Sequence, residues 1–322
     1  MRIPNGKRTF QALAFALCLP VAVGAEPFEI KDSEGFERVM VAHVVNVPTG
    51  WNSSGRIAWN KPCSGNDLYE TLFVTRSPDG QNGARIMPGY QFFMDTARIA
   101  PGYPPDPSLN MIVAQSEASL QNMASQFRGS NCAVGVMNGT QDIIDRLILP
   151  NRPSDARILA SNANQSELNL MKQTFGTALQ GVRVSYDSQI IDLGYVLNAV
   201  PTTERLYVSW YTFTQEPFDM GGVVVSNSHA VVDPLRFVWS PSVNANQAIP
   251  QLEQMMGSIQ TDRAWQQRVN EVRQAIQKQN EADRKRREAE RDRRHNEFIQ
   301  GIQYSFQTQQ SQSGFISVPP TE

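Results

Sequence analysis

Little cysteine, little histidine and no excess of either charge mark this 322-residue chain. Three cysteines exclude a disulfide-dense miniprotein, and 21 glycines without a period exclude a collagen-like repeat. With 29 basic against 31 acidic residues, a net of −2, the chain is not built mainly to bind nucleic acid. The three histidines come with no His-x-x-x-His, no Cys-x-x-Cys and no acidic calcium loop, so no metal is expected. A Walker lysine, Gly-x-Gly-x-x-Gly and Gly-x-Ser-x-Gly are also missing. No cofactor and no serine-hydrolase elbow follow from the pattern. What remains is 40% hydrophobic, enough for a sizeable core in one large domain or two ordinary ones.

Only one long apolar run exists. Arg2, Lys7 and Arg8 precede the apolar stretch Phe10 to Val23, which ends in Val23-Gly24-Ala25. This reads as a secretory signal peptide over 1–25, cleaved after Ala25. The alternative is an uncleaved anchor, although the run falls short of the ~20 residues that a span takes. Cys18 follows Leu17, where a lipid-attachment site wants a small residue. Removal leaves 26 basic and 31 acidic residues, a net of −5, and no transmembrane segment in the mature chain. The expected location is periplasmic or secreted, where Cys63 and Cys132 can bridge. Closing that loop of about 70 residues would add ~4 kcal/mol in the chain-entropy view; two separate buried thiols are the alternative.

Strand signals recur at 37–48, 55–60, 69–75 and 84–87, with the turn Ser77-Pro78-Asp79-Gly80 between the last two, as in an antiparallel meander. Pro101 to Pro107 is a loop, and Leu109 to Arg128 a ragged helix. Gln141–Leu149 is a short helix, and Ala156–Ser161 a short strand. Gln165 to Gly181 carries Leu168, Met171, Phe175 and Leu179 at helical steps. Val182–Asn198 follows as strand with a kink at Gly194, and then Glu204–Phe213, Gly221–Ser228 and Leu235–Trp239. Ala248 to Met256 is helical again. From Asp262 the composition shifts: Lys278–Glu297 holds eight Lys/Arg and six Asp/Glu, with Ala282 and Ala289 as its only aliphatic side chains. Such a stretch forms helix through i,i+4 ion pairs and lacks the apolar heptads of a coiled coil.

Candidate sites are few. In the strand Glu204–Phe213, Leu206, Val208 and Trp210 fall on one face and Tyr207, Tyr211 and Phe213 on the other. A central strand covered by helices is one reading; a ligand-binding cleft using Tyr207, Trp210, Tyr211 and His229 is the other. His43 sits inside a strand and reads as structural. A secreted hydrolase assembled from distant residues, with His229, Ser226 or Glu204, is the alternative function. Successive residues such as Ser228 and His229 point to opposite faces of a strand, which argues against a local triad.

Pro27-Phe28-Glu29-Ile30-Lys31-Asp32, Val47-Pro48-Thr49-Gly50-Trp51, Gly55-Arg-Ile-Ala-Trp59 and Ser77-Pro78-Asp79-Gly80 come in an order that resembles the PsbP-like group, particularly bacterial secreted members with a charged C-terminal helix. The resemblance covers about residues 27–270. It implies an α+β fold, an antiparallel sheet flanked by helices as an α/β/α sandwich, and a binding or accessory role without catalytic residues. The expected organisation is a signal peptide over 1–25, a globular domain over 26–261, a long charged helix over 262–302 and a disordered tail over 303–322. An envelope or extracellular protein partner is expected at the 262–302 helix.

Overall fold

The structure, a computed structural model, describes residues 24–59, 68–104, 106–176 and 181–313. Most of the expected signal segment, Cys63 and residues 314–322 lie outside the described residues. The chain divides into two units, Met1–Asp262 and Arg263–Glu322.

In the first unit, strands β1 (Ala25–Asp32), β2 (Met40–Pro48), β3 (Asn52–Trp59), β4 (Tyr69–Arg76), β5 (Gly83–Ile86) and β6 (Tyr90–Ile99) come first. Helix α1 (Pro107–Gln126) starts where Asp106 caps the backbone N–H of Ser108 at 2.7 Å and Pro107 presets the first turn. After β7 (Cys132–Val134), helix α2 (Thr140–Ile143) widens into a π turn at Ile144–Ile148. Strand β8 (Arg157–Ala163) and helix α3 (Gln165–Phe175) precede a long hairpin, β9 (Val182–Leu197) and β10 (Val200–Gln215). Then come β11 (Phe218–Asp219), β12 (Val223–Val232), β13 (Arg236–Pro241), α4 (Ala245–Gly257) and β14 (Gln260–Thr261).

Among the described residues these strands form one mixed sheet of fourteen. The expectation of a simple antiparallel α/β/α sandwich is therefore corrected. Among the described residues two pairings are parallel, β1 with β3 at Lys31↔Arg56 and β6 with β7 across the α1 crossover. The sheet also branches. β12 and β13 lie end to end along one edge of β10, broken at Asp233–Leu235, and β6 and β5 pair with them in turn. Neither feature has a local signature, because both depend on which distant strands meet.

Register fixes the two faces of the β9–β10 hairpin. Trp210 lies opposite Asp187, Val208 opposite Gln189 and Leu206 opposite Ile191 on one face. Tyr211 lies opposite Tyr186, and Arg205 opposite Asp192, on the other. The main core sits on the Trp210 face: Ile191, Leu193, Leu206, Val208 and Phe237 pack under Ile143, Ile144 and Ile148 of α2 and its π turn. Burying a side chain of this size stabilises by roughly 1.5–3 kcal/mol. Gly194, expected as a kink, pairs regularly with β10; the irregularity lies across from it in β8, where the register shifts at Leu159, and the missing Cβ leaves room for that side chain.

The second unit is α5 (Arg263–Ser313), which continues past the expected end at 302. Its ion pairs include Glu281–Lys285, Arg284–Glu288 and Glu290–Arg294, all at i,i+4. Among the described residues no helix is long and apolar enough to cross a membrane.

Candidate functional site

A groove of about 450 Å³ opens beside Trp210. Three stretches far apart in sequence build it: Asn138–Ile144 from above, Ile158 and Ser161 of β8 at its side, and Asp187, Gln189 and Trp210 of the hairpin as its floor. Gly139 turns the chain over the indole with φ +155° and ψ −172°, a region essentially closed to other residues. That turn delivers Thr140 to the ring.

A directed chain of hydrogen bonds runs along the floor. Trp210 Nε1 donates to Thr140 Oγ1 at 2.8 Å, and Thr140 Oγ1 donates to Asp187 Oδ2 at 2.9 Å. From the other side, Ser161 Oγ donates to Gln189 Oε1 at 2.6 Å, and Gln189 Nε2 donates to Asp187 Oδ2 at 2.7 Å. The backbone N–H of Ser188 donates to Asp187 Oδ1 at 2.8 Å. Both arms thus end on one carboxylate. A network closed in this way holds its rotamers, so the remaining N–H and lone pairs face the groove in fixed directions.

The expected binding residues divide between the two faces. Trp210 joins the groove, the residue being 8% exposed. Tyr207 is on the opposite face, where its hydroxyl donates to Glu253 of α4; burial and that carboxylate both push the phenol up. Tyr211 packs against Phe175 of α3 at 4.8 Å between ring centres, together with Phe213. His229 stacks on Phe93 at 4.4 Å, and its Nε2 lies 2.8 Å from Gln91 Oε1. Burial lowers its pKa. So the four do not share one cleft.

The residues of the alternative hydrolase do not meet either. Glu204 projects on the Trp210 face and His229 on the other. Arg152 engages Glu204 through both guanidinium arms at 2.6 and 2.8 Å. Ser226 shares its hydroxyl with Thr96 at 2.8 Å. His43 lies between the hydroxyls of Thr261 and Thr71 at 3.2 and 3.0 Å, and burial depresses its pKa to about 4. Cys132 is buried, while its expected partner Cys63 lies outside the described residues. Among the described residues no group of three His, Cys, Asp or Glu is placed to hold a metal.

Sequence reasoning named Trp210 and missed Thr140, Asp187 and Gln189. Their one signal was two polar residues, Asp187 and Gln189, at alternate positions of a strand whose next residues on that face are Ile191 and Leu193. No protein-family model and no curated protein matches the chain.

Proposed function

We propose that the chain is an exported binding protein that seats a small, uncharged ligand rich in hydroxyl or amide groups in the groove beside Trp210. One observation carries this reading: side chains from three distant stretches converge on a hydrogen-bond chain already oriented around Asp187. A pre-ordered polar wall lowers the ordering cost of binding. The wall's neutral donors and acceptors match a neutral polar ligand, and Ile144 and Ile158 supply apolar area beside them. Export rests on the signal-like residues 1–25, and the Cys63–Cys132 bridge belongs to the same proposal. So do the accessory role implied by the PsbP-like resemblance and an envelope or extracellular protein partner for the charged helix.

The test is a titration of the mature protein with monosaccharides, amino-acid amides and dipeptides, read by backbone amide shifts. At least one class should move Gln141, Ser161 and Gln189 together and saturably, and Gln189→Ala should weaken that ligand about tenfold. Shifts scattered over the surface, or none at these three positions, would refute the groove as the seat.

A further inference from the structure

A second polar cluster stands on the Trp210 face where β4, β5 and β13 run side by side. Phe237 and Trp239 are two residues apart on β13, so their rings rise from the same face ~7 Å apart. The Arg152 guanidinium lies over Phe237 at 4.9 Å and that of Arg76 over Trp239 at 5.9 Å. Arg76 is not beside Trp239 in the sheet. It reaches the indole across Gly83, which pairs with both residues and where a Cβ would come within 2.2 Å of the Trp239 ring. The glycine is what lets a guanidinium settle there. Arg85 of β5 pairs directly with Phe237, which puts a third guanidinium next to the one above that ring.

Three cations gathered over one face, two from the neighbouring strands β4 and β5 and one from the turn after Asn151, repel each other. Arg85 carries the mark of it: its pKa is lowered by burial, then by Arg152 and by Arg76, with Glu204 opposing. Glu204 forms a two-armed pair with Arg152. Neither Arg76 nor Arg85 forms an ion pair with any described residue, and both side chains are exposed. Arg76, held over the Trp239 ring, and Arg85, across a strand from it, thus stand with their charges unmatched, beside an Arg152 that is anchored on Phe237 and on Glu204 and keeps further N–H donors.

We propose that Arg76, Arg85 and Arg152 form an anion seat for a phosphate group, separate from the Trp210 groove. The geometry favours a tetrahedral oxyanion over a carboxylate. A carboxylate is planar and matches one guanidinium fork, as Glu204 does with Arg152. A phosphate offers three oxygens in three directions, one toward each cation. The phosphate has two possible sources, a free phosphorylated small molecule or an anionic lipid headgroup, with the same contacts in either case.

The experiment uses the mature chain with inorganic phosphate at constant ionic strength, followed by titration calorimetry. Saturable binding at one site per chain is expected. Arg85→Gln and Arg76→Gln should each weaken it about tenfold, as loss of one charge-assisted contact does. Arg236→Gln removes the same charge from β13 on the opposite face and should leave binding unchanged. Without phosphate, Arg85→Gln should unfold at the same temperature as the parent or higher, because it relieves repulsion. In a parallel arm, phosphatidylglycerol and phosphatidylcholine vesicles are sedimented with the parent and with Arg85→Gln. Co-sedimentation with the anionic vesicles alone, lost in Arg85→Gln, makes a headgroup the source; phosphate binding without co-sedimentation makes it a free molecule. If neither phosphate nor anionic vesicles bind, or if Arg236→Gln costs as much as Arg85→Gln, the seat does not exist.

Discussion

Two carboxylates on one face of the β9–β10 hairpin have opposite fates. Glu204 meets a permanent cation: both arms of Arg152 close on it, and the side chains of the pair are only 11% and 4% exposed. Asp187 meets neutral donors, from Thr140, Gln189 and the Ser188 backbone, at the floor of an open groove. A carboxylate closed in a buried ion pair has its charge met within the fold and keeps little capacity of its own for a ligand. A carboxylate framed by neutral groups orients them without neutralising anything, and those groups keep capacity for a guest. Strand position alone does not separate binding from architecture; the partner across the gap does.

The largest test of that contrast is Glu204→Gln. It leaves the Arg152 charge buried with a weak neutral acceptor, and should cost about 3–5 kcal/mol in urea unfolding. The double change Arg152→Met with Glu204→Leu removes both charges and should recover most of it. If the single change cost under ~1 kcal/mol, Glu204 would be behaving as a surface group and the comparison would break. His43 sharpens the same comparison, since it too is a buried polar side chain held between fixed partners. Its folded pKa of about 4 lies below the ordinary 6.5, so the unfolded chain takes up the proton first. The contribution is complete above pH 6.5 and is lost as pH falls from there to about 4, by about 3 kcal/mol at most. His43→Gln should flatten the stability curve across that window; an unchanged acid slope would assign it to other groups. Third in size is Thr140→Val, which strips Trp210 Nε1 of its acceptor and Asp187 of a donor. A loss of about 1–3 kcal/mol is expected, with a shift in tryptophan emission. A loss below ~0.5 kcal/mol would mean that water reaches both atoms, and the network would no longer count as pre-ordered.

The legible parts of the molecule were those with local causes. Period-2 alternation put Leu206, Val208 and Trp210 together on one face, and all three join the core. The turn Ser77-Pro78-Asp79-Gly80 formed where expected, with Gly80 at φ +71° and its N–H bonded to the Ser77 carbonyl. β6 escaped notice because Gln91-Phe92-Phe93-Met94-Asp95 carries no β-branched residue; it becomes a strand by pairing with β12 along its whole length. The parallel pairings were invisible for the same reason. In the groove, Thr140 meets Asp187 over 47 residues of chain and Trp210 over 70. The pair Arg152–Glu204 spans 52. A serine, a glutamine or a threonine has no pattern that marks it for such a meeting. Register and the turn at Gly139 decide it.

The charged helix is the far end of the scale from Glu204, and its ion pairs should have the smallest effect of all. In Glu281–Lys285 and Glu290–Arg294 the acid stands four residues before the base, and the participating side chains are half exposed or more. Arg284–Glu288 has the reverse order. The acid-first order agrees with the direction of the helix dipole and is the stronger one. In a peptide of residues 278–297, Glu281→Gln should therefore lower helicity by about 0.3–0.5 kcal/mol and Glu288→Gln by less, read by circular dichroism at low salt. At about 1 M salt, where screening acts within ~3 Å, the difference should vanish. Glu204→Gln, with its pair out of water, should keep its cost at the same salt. Equal salt sensitivity at both sites would show that burial is not what distinguishes a carboxylate that builds the fold from one that only decorates a helix.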